Sequence, residues 1–139
     1  TMEPPPDETP RPVTFNTYLV AHAPTEAEGE RIGCEDVLVS VQRTATAEGV
    51  PLAAAYDALF ETATTDSLHN TVAGLTVDEI TLENGIARVR LGGALQIGGV
   101  CDHPRIEAQL RRTALQFAEV DSVAVFIDGR PLEDFLSLR

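Results

Sequence analysis

The sequence predicts an α/β (α+β) domain: a two-layer sandwich with a mixed sheet of about five strands and two helices on one face, in the order β-β-α-β-β-α-β. Three observations carry this expectation. Apolar residues alternate with polar ones at Val13–Ala21 and Val37–Val41, recur at helical spacing after Pro51 and after Pro104, and flank Asn84-Gly85 on both sides. With 139 residues the chain is long enough for one real core and too short for two.

Residues 1–12 hold Pro4-Pro5-Pro6, Pro10 and Pro12 among acids and Thr, a composition that reads as an extended, solvated linker with neither helix nor paired strand. The domain is expected to occupy 13–139. Val13, Phe15, Thr17 and Leu19 then share one face of a first strand, and Val37, Val39 and Val41 share one face of a second. Between them, 22–35 is a polar loop with Pro24, Gly29 and Gly33. Pro51 opens a helix, where its missing N–H costs nothing, and Leu52, Tyr56, Leu59, Phe60 and Ala63 form the apolar stripe. Asp66 to Gly74 reads as irregular, with room for one helical turn.

Asn84-Gly85 predicts a two-residue type I′ hairpin, because both residues tolerate positive φ. Such a turn sets Glu83 opposite Ile86. Ile80–Val89 and Leu82–Ala87 then share an apolar face, and Glu79–Arg90 and Thr81–Arg88 a polar one. Gly92-Gly93 and Gly98-Gly99 bracket a loop. A second helix begins near Asp102-His103-Pro104, with Asp102 or His103 as its cap and Ile106, Leu110, Ala114 and Phe117 as its buried stripe. Ser122–Ile127 is the last strand, ended by Asp128-Gly129, and Pro131–Arg139 is a short amphipathic tail.

The formal net charge of −12 argues against nucleic acid and anionic lipid as partners, since both require a basic surface, here available only if the ten arginines gathered on one face. No apolar run approaches the roughly 18 residues that span a bilayer. The Gly92–Gly99 stretch matches neither the dinucleotide fingerprint nor the P-loop, and no Lys exists to meet a phosphate. A loop needing positive φ is the simpler reading.

Cys34, Asp36, Cys101 and His103 could form a mixed zinc site, but Cys-x-Asp and Cys-x-His are not the spacing structural zinc favours. A Cys34–Cys101 disulfide is the stronger expectation, with two buried free thiols between these readings. His22, His69 and His103 lack a nucleophile elbow or an evident partner. No catalytic, metal or cofactor-binding residue is therefore assigned. Asp102, His103 and Arg105 are the candidate ligand or partner contacts.

Several motifs together resemble a known family. Leu82–Leu91 is similar to the hairpin pattern xxxGxAxVxL of GerMN domains. Thr113–Phe117 and Val120–Leu132 resemble that family's ending Gln-Phe-x-x-Val-x-x-Val-x-Phe-x-Ile/Val-Asp-Gly-x-Pro. Gly33-Cys34-Glu35-Asp36 and Pro51-Leu52-Ala53-Ala54-Ala55 resemble it upstream, so the likeness spans about 13–133. The resemblance implies an extracytoplasmic, non-catalytic binding or scaffolding domain active in sporulation, germination or envelope processes. It implies a lipoprotein or single-span anchor, and peptidoglycan or an envelope protein as partner, with oligomers in some relatives. Cys101 departs from it, lying where many members have no Cys. Two other readings stay open: a small-ligand or carbohydrate-binding domain using a cleft near Gly92–Gly99, and, more weakly, an enzyme with an unfamiliar site.

Overall fold

The computed structural model describes residues 11–47, 51–95 and 97–136. The α/β class and the order of the main elements match the expectation, while the strands divide between two sheets instead of joining one. The first sheet is a long ribbon of β1 (Arg11–Ala21) and β2 (Glu30–Arg31) on either side of β3 (Val37–Ala47), all antiparallel.

β1 begins earlier than predicted, because Arg11 and Pro12 pair with Ala47 and Thr46. The reason is parity. Even-numbered residues of β1 bond away from β3, as Asn16 and Val20 do, so the N–H that Pro12 lacks is not a ladder bond. Residues 1–10 of the expected linker lie outside the described residues.

The second sheet has the order β4 (Thr76–Glu83), β5 (Ile86–Gly92), β6 (Ser122–Ile127), β7 (Arg130–Pro131). Its hairpin has the predicted turn and register. Asn84 and Gly85 take φ of 51° and 80°, and Glu83–Ile86, Leu82–Ala87, Thr81–Arg88, Ile80–Val89 and Glu79–Arg90 are opposed. Val89 is buried and Ile80 half-buried, while Glu79 and Arg90 meet in solvent at 3.8 Å. The register shifts once, between Val77 and Glu79. β6 runs parallel to β5, which requires a crossover, and α2 (Asp102–Leu115) supplies it.

α1 (Leu52–Phe60) buries Leu52, Tyr56, Leu59 and Phe60. Ala63 falls beyond its end and is exposed, contrary to the predicted stripe. The helix stops there because the Asn70 side-chain amide donates to the Leu59 and Thr62 carbonyls, which a further turn would have used. α2 buries Ile106, Leu110 and Ala114, and Phe117 lies just past its last turn. α3 (Leu132–Leu136) forms within the predicted tail and is anchored by buried Leu132, while Pro131 belongs to β7 and residues 137–139 lie outside the described residues. Asp66 to Gly74 is irregular, with a turn at 71–74 and a bridge between Val20 and His69.

Both helices touch the ribbon and the inner face of the second sheet, so Leu19, Tyr56, Leu59, Val89, Leu110 and Val125 belong to one core. Two sheets form because the outer edge of β1 is already taken. Gln116 bonds both backbone groups of Asn16, Gln109 donates to Tyr18 O, and His69 exchanges two bonds with Val20. No strand of the second sheet can pair there. No helix among the described residues is long and apolar enough to cross a membrane.

Candidate functional site

The three candidate contacts sit where the loop after β5 enters α2. The helix cap is Cys101 and not Asp102 or His103 as predicted. Asp102 is the first helical residue, and its Oδ2 accepts the Gly98 N–H at 2.6 Å. A carboxylate in the first turn also meets the positive end of the helix dipole.

Cys101 is bonded to Cys34, 67 positions away in sequence, with Cα atoms 5.9 Å apart. This resolves the alternatives left open by composition and removes both thiolates from any zinc set. Cys34 lies in a single 3₁₀ turn, Gly33–Glu35, with left-handed φ at Cys34 and Glu35. A Cβ on Gly33 would come within 2.7 Å of Pro104, so the turn seats against the first turn of α2 only because that residue is glycine.

Beside the disulfide, Arg105 joins two carboxylates. Its Nε donates to Asp36 Oδ2 at 2.6 Å and its Nη1 to Asp102 Oδ1 at 2.9 Å. Asp36 is only 1% exposed, and its other oxygen accepts the Ala23 N–H at 2.8 Å. Burial pushes the Asp36 carboxyl up, but the guanidinium and the Ala23 amide outweigh burial and hold it below its ordinary range. Burial acts likewise on Asp102, where the Gly98 amide and Arg105 prevail. Arg105 is held above its usual value by both partners, against its own desolvation. One disulfide and one ion triad, built on buried Asp36 with half-buried Arg105 and Asp102, thus clasp the end of β1, the start of β3, the loop after β5 and the start of α2.

The His22 and His69 rings meet next to this clasp, tilted by 47° with centroids 4.5 Å apart. Burial first, then the charges of Arg105 and His69, lower the His22 pKa. His69 borders two cavities. One of about 650 Å³ is lined by His22, Pro24, Glu28, Val39 and Ser67. The other, about 240 Å³, is lined by Thr71, Ala94, Leu95 and Asp102 and adjoins the Gly-rich loop. Of the four glycines in that loop only Gly93 takes positive φ. His103 is half-buried and makes no side-chain hydrogen bond among the described residues, so Asp102 and Arg105 are brought together and His103 is not. Val100, between Gly99 and Cys101, is 77% exposed.

Sequence reasoning passed over Asn70 and Gln109. Buried Gln109 donates to Tyr18 O and Asn70 Oδ1 and accepts from Thr71, tying α2 to β1 and to the 70–72 turn. A polar residue between Ile106 and Leu110, on the edge of the apolar stripe, is the signal that could have found it. The His22–His69 ring contact joins residues with no local relation in sequence and has no such signal.

The sequence profile of the Germane family, described as sporulation and spore germination, matches residues 17–133. Among solved structures, the fold is similar to the first GerMN domain of the sporulation protein GerM from Bacillus subtilis, at 16% identity and a TM-score of 0.63, covering 87% of this chain and 86% of that one. It is also similar to the tandem GerMN domains of the same protein, at 13% identity and a TM-score of 0.61, covering 86% of this chain and 40% of the other. No curated protein sequence matches.

Proposed function

The chain belongs to the Germane family of sporulation and spore germination, and from that premise we propose that it is a non-catalytic binding or scaffolding domain of the bacterial cell envelope, working outside the cytoplasm, with peptidoglycan or another envelope protein as its partner. The observation that carries the reading is the clasped loop end. A disulfide and a partly buried ion triad cross-link it, and it offers Val100, a large apolar side chain, to solvent. A pre-ordered loop binds without the entropy cost of ordering it. The disulfide also supports an oxidising compartment, where such bonds persist. The groups of the clasp are engaged with one another, which suits a structural role better than acid–base chemistry.

The test is capture from envelope fractions with the oxidised chain as bait, comparing wild type with Val100→Asp, an exposed change that leaves the core intact. Equal capture by both, or none by either, would reject this end as the binding surface. The cavity beside the Gly-rich loop favours a second reading, a small-ligand or carbohydrate site. Calorimetric titration with soluble peptidoglycan fragments separates the two, since heat lost on Leu95→Arg but kept on Val100→Asp would favour the cavity.

A further inference from the structure

The β1–β3 ribbon has two edges, and the chain treats them differently. The β1 edge is closed at Asn16, Tyr18 and Val20 by Gln116, Gln109 and His69, and Pro12 has no N–H to offer, which leaves Thr14 as its one open position among the described residues. On the β3 edge, β2 pairs only with Val37 and Leu38. Since even-numbered residues of β1 bond outward, its odd-numbered residues bond β3, and the register pairs odd with odd. Ser40, Gln42, Thr44 and Thr46 must therefore aim their N–H and C=O groups away from β1, and none of these groups has a partner among the described residues. All four residues are exposed. An edge of this kind is a template for another strand, and it carries no Lys, Pro or carboxylate to discourage one.

We infer that this edge pairs with the same edge of a second copy, antiparallel about a two-fold axis at Thr44. Charge favours the ribbon as the meeting place. The chain has 22 acidic residues and a net charge of −12, yet neither β1 nor β3 contains one. Two copies approaching elsewhere repel, whereas here their carboxylates lie off the contact. Register follows by exclusion. An axis at Gln42 would bring Thr46 of one copy opposite Leu38 of the other, a place Glu30 already holds. An axis at Arg43 would set one guanidinium against its copy. An axis at Thr44 places Gln42 opposite Thr46 and Arg43 opposite Ala45, sets no like charges directly opposite, and pairs Val41 to Ala47, whereas an axis at Ala45 would pair only Arg43 to Ala47. Because the β1 edge is occupied or interrupted on both sides of Thr14, it offers no run of free groups for a third strand, and association stops at two copies and builds no filament. The paired stretch is short, so the dimer is concentration-dependent. This inference is independent of what the clasped end binds.

Sedimentation velocity of the oxidised chain from micromolar to millimolar concentration tests it. The wild type is expected to shift from monomer to dimer. Thr44→Lys sets two ammonium groups face to face at the axis, and Gln42→Pro removes one outward N–H while sparing the β1 ladder. Each should weaken association by about tenfold or more, with circular dichroism unchanged. If Gln42→Pro disturbs folding, the exposed Thr44→Lys decides alone. Amide exchange at Gln42, Thr44 and Thr46 should slow as concentration rises. A wild type that stays monomeric at millimolar concentration overturns the inference, as does a dimer indifferent to Thr44→Lys. Monomeric wild type with Val100-dependent capture would sink self-pairing and leave the envelope-binding reading standing.

Discussion

Replacing Arg105 with Met removes a charge from the clasp while keeping much of the side chain's bulk. Asp36 is 1% exposed and would lose the 2.6 Å donor, leaving only the Ala23 N–H on its carboxylate. Breaking a buried pair by deleting one partner costs about 3–5 kcal/mol, because the charge left behind is uncompensated. Asp102 would lose its 2.9 Å partner but keep the Gly98 N–H. With its side chain nearer solvent, it adds less than about 1 kcal/mol. Against a typical domain stability of about 5–15 kcal/mol, this is roughly a fifth or more. Urea denaturation of the oxidised chain at pH 7 should show it, with a melting temperature lower by roughly 10–20 °C. Adding Asp36→Asn should recover about 2 kcal/mol or more, since no buried charge then remains. The folded Asp36 pKa is depressed, so its contribution is present above the unfolded value and lost as pH falls through the folded one. The gap between wild type and Arg105→Met should therefore narrow in acid. A loss under about 1 kcal/mol at pH 7, the scale of an exposed pair, or a double variant no better than the single, would refute the reasoning.

Four further outcomes are expected. Cys34→Ser with Cys101→Ser should cost about 4 kcal/mol in the same assay, the chain-entropy value for a loop of this size, and reduction of the wild type should match it. Gly85→Val should cost about 1–3 kcal/mol from backbone strain alone, since Gly85 has φ of 80° and an added Cβ would collide with the Asp121 carboxylate; an unchanged denaturation midpoint would contradict the hairpin geometry. His22 has a lowered pKa in the folded chain, so stability should be full above its unfolded value and decline as pH falls through the folded one, and His22→Gln should flatten that slope in melts from pH 7 to pH 5. With a net charge of −12, the chain should give no anisotropy change with labelled DNA at physiological salt.

What the sequence determined by itself is local. Alternation placed β1, β3 and β6, helical spacing placed α1 and α2, and Asn84-Gly85 set the hairpin register to the residue, because a two-residue turn leaves one way to pair its strands. Two cysteines could be singled out, and a disulfide ranked above zinc, from spacing alone. Tertiary structure decided everything that depends on which distant residues meet. Arg105 and Asp102 stood out at the helix start, but their union with Asp36 depends on how the first loop folds back over α2. The separation into two sheets rests on Gln109 of α2 and Gln116 at its C-terminal cap reaching the β1 edge, and a Gln in or beside a helix announces no such partner. Turn chemistry and side-chain period are written within a few residues, so they can be read one segment at a time. Closure of an edge or compensation of a buried charge is a property of two segments at once, and only their packing brings it into being.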